Sequence, residues 1–269
     1  MRRKLRRPAI RSALEAAAIP TYAGPRKVAE RVDALHIIQA SGRLPRGRRV
    51  YAVGDVHGHL DRLKALHGLI ADDLAVRPVE QAVLVHLGDY IDQGPDSAGV
   101  LTHLAGLHLP GVQIVNLLGD HERLLLDAID GDKAAATDWL WAGGRESLAS
   151  WDLPEDLPRE AWAEAFPADH IVFLRSLVLT HQEGDYLFVH AGLRPGIALR
   201  DQVRDDLLMI RQPFLASEAE FGVVVVHGHS SQPAVPILPT RIGLDTGAGI
   251  GGRLTCAVLE EDGIALLAT

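Results

Sequence analysis

Five times along this chain a strand-sized apolar run leads into glycine beside aspartate or histidine. The segments are Gly54-Asp55-Val56-His57-Gly58, Gly88-Asp89-Tyr90-Ile91-Asp92, Gly119-Asp120-His121-Glu122, His190-Ala191-Gly192 and His227-Gly228-His229. No other feature restricts the fold as much. Loops at the carboxyl ends of parallel strands converge, so side chains remote in sequence share one crevice. Glycine removes side-chain bulk where the chain must turn sharply and let a small ion approach.

The spaces between these segments supply the rest of the architecture. Val50 to Val53 reads as a buried strand, Leu60 to Val76 as a helix, and Ala82 to Leu87 as the next strand. Ser97 to Leu107 is helical, and Val112 to Leu118 is a third strand before a helix from Glu122. This alternation predicts a mainly parallel sheet covered by helices. Residues 132–180 read as an inserted helical cap, with Trp139, Trp141, Trp151 and Trp162 expected as its core. Strands follow at Tyr186 to Val189, Val223 to Val226, Arg241 to Leu244, Leu254 to Leu259 and Ile264 to Leu267, expected as an antiparallel run. The fold class is therefore α/β (α+β): a two-sheet sandwich flanked by helices, with a helical insert.

Charge divides the chain at about residue 49. Residues 1–49 hold 13 Lys and Arg against 3 Asp and Glu, whereas the whole chain has a net charge of −8. The body is thus strongly acidic and a poor nucleic-acid surface, because phosphate backbones are bound through Lys and Arg. The basic arm, with short helical stretches at 13–18 and 27–39 and a loop-like linker at 41–47, reads as a solvated extension able to dock an anionic partner. Residues 50–269 form the expected catalytic domain. No apolar run approaches the roughly 20 residues of a membrane span. The lone Cys256 excludes an intramolecular disulfide and fits a reducing, cytoplasmic setting.

Mixed carboxylate and imidazole ligands suit Mn²⁺, Fe or Zn²⁺ better than Ca²⁺, which prefers oxygen alone. A pair of such ions needs an anionic bridge, and Asp89 can supply it. The blocks Gly54-Asp55-Val56-His57-Gly58, Gly88-Asp89-Tyr90-Ile91-Asp92-Gln93-Gly94 and Gly119-Asp120-His121-Glu122 resemble those of the phosphoprotein phosphatases, a branch of the calcineurin-like metallophosphoesterases. His190-Ala191-Gly192 and Gly228-His229 resemble the two later histidine blocks, and Asp245-Thr246-Gly247-Ala248 the closing turn of bacterial members.

That resemblance implies two divalent metal ions. Asp55, His57 and Asp89 would hold the first, and the bridging Asp89 with Asp120, His190 and His229 the second. It also implies that His121 protonates the leaving alkoxide while Asp92 orients its imidazole. Chemistry agrees: paired ions activate water and neutralise phosphoryl oxygens, and a carboxylate-fixed His is a suitable proton donor.

Two positions depart from the family. Asp120 stands where it has Asn, adding negative charge and removing an amide donor to phosphate. Gln93 stands where it has Arg, so a charged fork toward phosphate is gone. Arg211 resembles the second phosphate-contacting Arg and is retained. Both departures favour monoanionic phosphodiesters over phosphomonoester dianions.

Of the remaining candidates, His59 reads as a surface residue or one behind the ligands. His227 reads as a structural residue or one behind the ligands that could exchange roles with His229 if the strand bends, and His86 as a hydrogen-bonded core residue. His67, His103 and His108 read as helix-surface or helix-edge groups. Glu122 reads as a helix-start carboxylate or a salt-bridge partner in the site. Asp245 to Gly252 reads as a tight turn near it. The leading expectation is hydrolysis of phosphoserine or phosphothreonine by a bacterial-type enzyme. A hydrolase of nucleotides, dinucleoside polyphosphates or phosphodiesters is the second, and a metal-binding pseudo-phosphatase the third.

Overall fold

The computed structural model describes residues 36–269. The helix expected at 13–18 and most of the stretch at 27–39 lie outside the described residues. Two sheets face each other. One has six strands in the order β1-β10-β9-β2-β3-β4, the other four in the order β5-β6-β7-β8. Their spans are β1 Ile38–Gln39, β2 Arg48–Val53, β3 Gln81–His86, β4 Val112–Asn116, β5 Thr180–Glu183, β6 Tyr186–Val189, β7 Val224–His227, β8 Arg241–Gly243, β9 Thr255–Glu260 and β10 Gly263–Ala268.

Strand β2 shows why the layers form. Val50 and Ala52 point to one side with Val83, Val85, Phe188 and Val226, filling the space between the sheets. Tyr51 and Val53 point to the other, with Leu63, Leu66 and Ile70 of α1 (Leu60–Val76) and Leu101 of α2 (Ser97–Ala105). Side chains alternate with period two, so a strand apolar at every position is buried on both faces. Strands β2, β3 and β4 are parallel, with Val50 opposite Val83 and Val83 opposite Gln113.

The second sheet corrects an expectation. β6, β7 and β8 run parallel; only β5 in that sheet, and the β1, β10, β9 and β2 ladder in the first, pair antiparallel. Residues 190–223 and 228–240 are long enough to carry the chain back across the sheet, which a parallel crossover requires. The same correction gathers the ends of β6 and β7 with those of β2, β3 and β4. Residues 38–49, grouped by composition with the basic arm, enter the sheet: Ile38 pairs with Ile264, and Arg49 is buried against Glu260 and Asp73.

The insert comprises α4 (Lys133–Trp139), a π-turn (Leu140–Gly144), α5 (Arg145–Ser150), α6 (Trp162–Ala165) and α7 (Ala168–Ser176). Trp139 and Trp162 are buried edge to face at 5.2 Å, and Phe166 packs against both. Trp141 departs from the expected core and is exposed. Among the described residues no helix is long and apolar enough to cross a membrane.

Candidate metal centre

The loops leaving β2, β3, β4, β6 and β7 bring Asp55, His57, Asp89, Asp92, Asp120, His121, His190 and His229 to one end of the sandwich. Close approach is built in by glycine. A Cβ on Gly119 would lie 2.2 Å from Asp89 Oδ1, and one on Gly228 2.0 Å from Asp55 Oδ1. The backbone carries strain at the same places: His57, Asp89, Asp92, Gln93 and His229 have φ between 46° and 72°. Non-glycine residues adopt this left-handed region at a cost, and such strain concentrates at functional sites.

Ligand atoms of Asp89, Asp120, His190 and His229 converge, and a second group joins His57, Asp89 and His121 through the shared Asp89. His190 Nε2 and His229 Nδ1 each lie 2.9 Å from Asp120 Oδ1, and His190 Nε2 is 3.4 Å from Asp89 Oδ1. Two donors bound side by side to one ion at about 2.1 Å are themselves about 3 Å apart, so this spacing fits a shared cation. Tautomers agree. His190 Nδ1 faces Leu87 O at 2.8 Å and His57 Nδ1 faces Ile91 O at 3.0 Å. Each carbonyl accepts the Nδ1 proton, so in the neutral ring the Nε2 lone pair faces the carboxylates.

Asp55 behaves differently from the other predicted ligands. Its Oδ2 accepts from the His229 N–H at 2.8 Å, whereas Oδ1 is buried without a hydrogen-bond partner, as is His229 Nε2. It belongs to neither convergent group. An unpartnered buried carboxylate oxygen is costly, and a cation relieves it.

Electrostatics point the same way. Burial, then the carboxylates of Asp245 and Asp89, push Asp55 well above the usual carboxylate range. Burial and Asp120 push Asp89 up to about 7. Asp120 is held low against its burial by hydrogen bonds to His190 and His229. A pocket this anionic calls for positive charge, and the donor set fits divalent metal.

His121 and Asp92 form a separate unit. His121 Nδ1 is 2.7 Å from Asp92 Oδ2, leaving Nε2 turned toward Asp89 at 4.0 Å. Burial would lower the His121 pKa, but the charges of Asp89 and Asp92 outweigh it and lift it to about 10. Asp92 is seated by two serines that sequence reasoning overlooked. Its N–H donates to Ser97 Oγ and Ser147 Oγ, both at 2.9 Å, and Ser147 Oγ donates to Asp92 Oδ1 at 2.6 Å. Ser147 comes from the insert, so the cap helps aim the dyad.

Glu122 has a larger role than a helix-start carboxylate. Its oxygens accept from the N–H groups of Asp89 (2.9 Å), Tyr90 (2.7 Å), Ile91 (3.2 Å) and Gly119 (3.0 Å), pinning two ligand loops onto the start of α3 (Asp120–Ile129). The only signal in sequence was a buried-looking carboxylate three residues after a glycine. His227 stays outside the ligand groups, with its ring against Phe214. The turn from Asp245 forms a wall of the cleft: Asp245, Gly247, Gly249 and Ile250 line it. Gln93 and Arg211 line it too, both exposed, so the structure brings the predicted substrate-contact positions to the same mouth.

Comparison with known proteins places this geometry. A family model described as calcineurin-like phosphoesterase matches residues 48–267. The symmetrical bis(5'-nucleosyl)-tetraphosphatase of Methylococcus capsulatus is 31% identical over 151 residues, covering 54% of this chain and 44% of that one. Serine/threonine-protein phosphatase 1 of Salmonella typhimurium is 38% identical over 98 residues, covering 36% of this chain and 39% of its own. The chain therefore spans less than half the length of either curated relative. A crystal structure of a candidate diadenosine tetraphosphatase superposes with a TM-score of 0.56 at 24% identity, covering 82% of this chain and 93% of the other. That likeness shows the fold.

Proposed function

The chain belongs to the calcineurin-like phosphoesterase family and is a metallophosphoesterase; on that premise we propose that it hydrolyses nucleotide phosphoanhydrides, dinucleoside polyphosphates foremost. One observation carries the choice. Among the described residues the cleft offers phosphate a single guanidinium, Arg211, with neutral Gln93 and the carboxylates of Asp89, Asp120 and Asp245 around it. An internal phosphoryl group of a polyphosphate bears one negative charge, whereas a phosphomonoester carries up to two near neutral pH. The singly charged group suits this lining better. The curated likeness agrees, being longer for the symmetrical tetraphosphatase than for the protein phosphatase.

In this reading Asp55, His57 and Asp89 hold one divalent ion, and Asp89, Asp120, His190 and His229 hold another, with Mn²⁺ the first choice and Fe or Zn²⁺ the alternatives. When bound, the pair supplies Lewis acidity toward the phosphoryl oxygens and acidifies water. The residues do the rest. Arg211 orients the phosphoryl oxygens at the mouth. His121, proton-bearing and fixed by Asp92, delivers the Nε2 proton to the leaving oxygen as the P–O bond breaks. As the water oxygen bonds to phosphorus, its proton passes to bulk solvent, from which His121 is reprotonated, and the chain leaves as two shorter phosphate chains.

The test compares diadenosine tetraphosphate, a phosphopeptide and p-nitrophenyl phosphate with added Mn²⁺. The proposal expects the highest kcat/KM on the dinucleotide; a phosphopeptide preference would overturn it in favour of a protein phosphatase. Gln93→Arg restores a charged fork and should raise monoester turnover about tenfold.

A further inference from the structure

We propose that Trp141 is a stacking platform for the nucleobase of the substrate, standing just outside the hydrolytic cleft. The inference rests on the nucleotide reading above. Trp139 and Trp162 are at most 1% exposed, whereas Trp141 is 77% exposed. Its ring is accompanied by the Arg145 guanidinium, 5.3 Å from the ring centroid. Arg145 is itself held, donating to Glu155 and to Leu140 O. The indole therefore keeps a large open surface and a fixed cation beside it.

Its position links it to the site. Trp141 lies in the π-turn Leu140–Gly144, where Gly143 takes φ 115°. Gly143 O accepts the Gln93 N–H at 3.3 Å, and a Cβ on Gly143 would lie 2.6 Å from Gln93 N. The turn is thus clamped against the loop whose Gln93 side chain lines the cleft. Trp141 is two residues away, a reach of at most about 7.6 Å between Cα atoms. Single π-turns of this kind are frequent at functional sites.

The chemistry selects the ligand. The cleft is lined mainly by carboxylates, imidazoles, Gln93, Ser231 and Arg211, which receive phosphoryl groups. Ile250 is its one large apolar side chain among the described residues, and no Phe, Tyr or Trp ring for a base to stack on lies among them. A base joined to the scissile phosphoryl through ribose and further phosphate must lie beyond that lining, and Trp141 is the exposed indole on the turn clamped to Gln93. An indole stacks on the π-face of any base, and a guanidinium beside it strengthens the contact.

Trp141→Ala and Trp141→Phe are compared with the wild type on diadenosine tetraphosphate and on inorganic tripolyphosphate, which has the same anhydride bond and no base. The expected result is a KM about tenfold higher for the dinucleotide in Trp141→Ala, with kcat and tripolyphosphate kinetics unchanged and most of the loss recovered in Trp141→Phe. Equal losses on both substrates, or no change in KM, would overturn the platform. If the wild type turns over neither anhydride, the nucleotide reading fails by itself. Titration with adenosine monophosphate then decides the platform: fluorescence quenching lost in Trp141→Phe supports it, and absence of quenching in the wild type overturns it.

Discussion

Two histidine clusters lie among the described residues, and only one of them contributes to groups that could hold a metal ion. His57, His121, His190 and His229 meet carboxylates. His103, His67 and His86 meet one another: His103 Nε2 and His67 Nδ1 are 2.9 Å apart, His67 Nε2 and His86 Nε2 2.9 Å, and His86 Nδ1 reaches Asn116 Oδ1 at 2.8 Å. In the first, a carbonyl or carboxylate holds one nitrogen of His57, His190 and His121 and turns the other toward anionic oxygen. In the second, both nitrogens of His67 are spent on neighbours along a line, leaving no common point for an ion. Charge follows geometry: Asp89 and Asp92 lift His121 to about 10 against its burial, while burial drives His86 down to about 4 and His67 to about 2. A buried imidazole becomes a cation-site or acid-base group through the carboxylate beside it, not through burial.

The largest effect expected from breaking this contrast is at Asp89, shared by both ligand groups. Asp89→Ala should abolish turnover and lower bound metal, read by elemental analysis of the purified protein. Full metal occupancy with activity lost would deny Asp89 its bridging role. Next comes His121→Gln, expected to lose roughly 10²- to 10⁴-fold in kcat while keeping its metal. Metal lost along with activity would move His121 from proton donor to ligand, as its place in a group with His57 and Asp89 permits. By contrast His86→Leu should leave kcat/KM within about twofold of wild type, as expected of a residue whose bonds run away from the cleft.

What sequence reveals differs between these clusters for a physical reason. The ligand loops announce themselves because the turn demands glycine and the ion demands Asp and His, so composition and spacing are dictated locally. The parallel strands β2 and β3 are equally plain, their apolar runs Val50–Val53 and Ala82–Val85 being buried on both faces. β5, with the polar run Thr180-His181-Gln182-Glu183, carries no apolar pattern, and two-residue β1 is too short to show one. The direction of β6 to β8 is set by crossovers, which no local pattern records. The histidine chain needs α1, α2 and β3 packed together before it exists, so its members look like unrelated surface or core residues. The Ser97 and Ser147 seat under Asp92 depends on the insert in the same way. Trp141 was readable: two positions from Trp139 on a helical stretch, it must face away from it.

The smallest predicted effect is the one that most sharpens the contrast, because its size changes with pH. His86→Leu leaves buried His67 Nε2 and half-buried Asn116 Oδ1 without their partner, which should cost about 1–3 kcal/mol at pH 7.5. Both His86 and His67 have folded pKa values below the unfolded value near 6.5, owing first to burial. Above pH 6.5 neither state takes up these protons and the wild type bears no penalty. As pH falls from about 6.5 toward 4, the unfolded chain binds protons that the folded one refuses, so folded stability declines. Each such group contributes up to about 1.4 kcal/mol per pH unit. Leu removes one group from that balance, while the metal-centre histidines titrate alike in both proteins and cancel in the difference. Urea unfolding midpoints at pH 7.5, 6 and 5 should therefore show the His86→Leu deficit shrinking by up to about 2 kcal/mol toward acid. A deficit that stays constant would mean that folded His86 binds protons as readily as the unfolded chain does. The chain of imidazoles would then hold charge in the core without a carboxylate to balance it, and the distinction between the two clusters would fall.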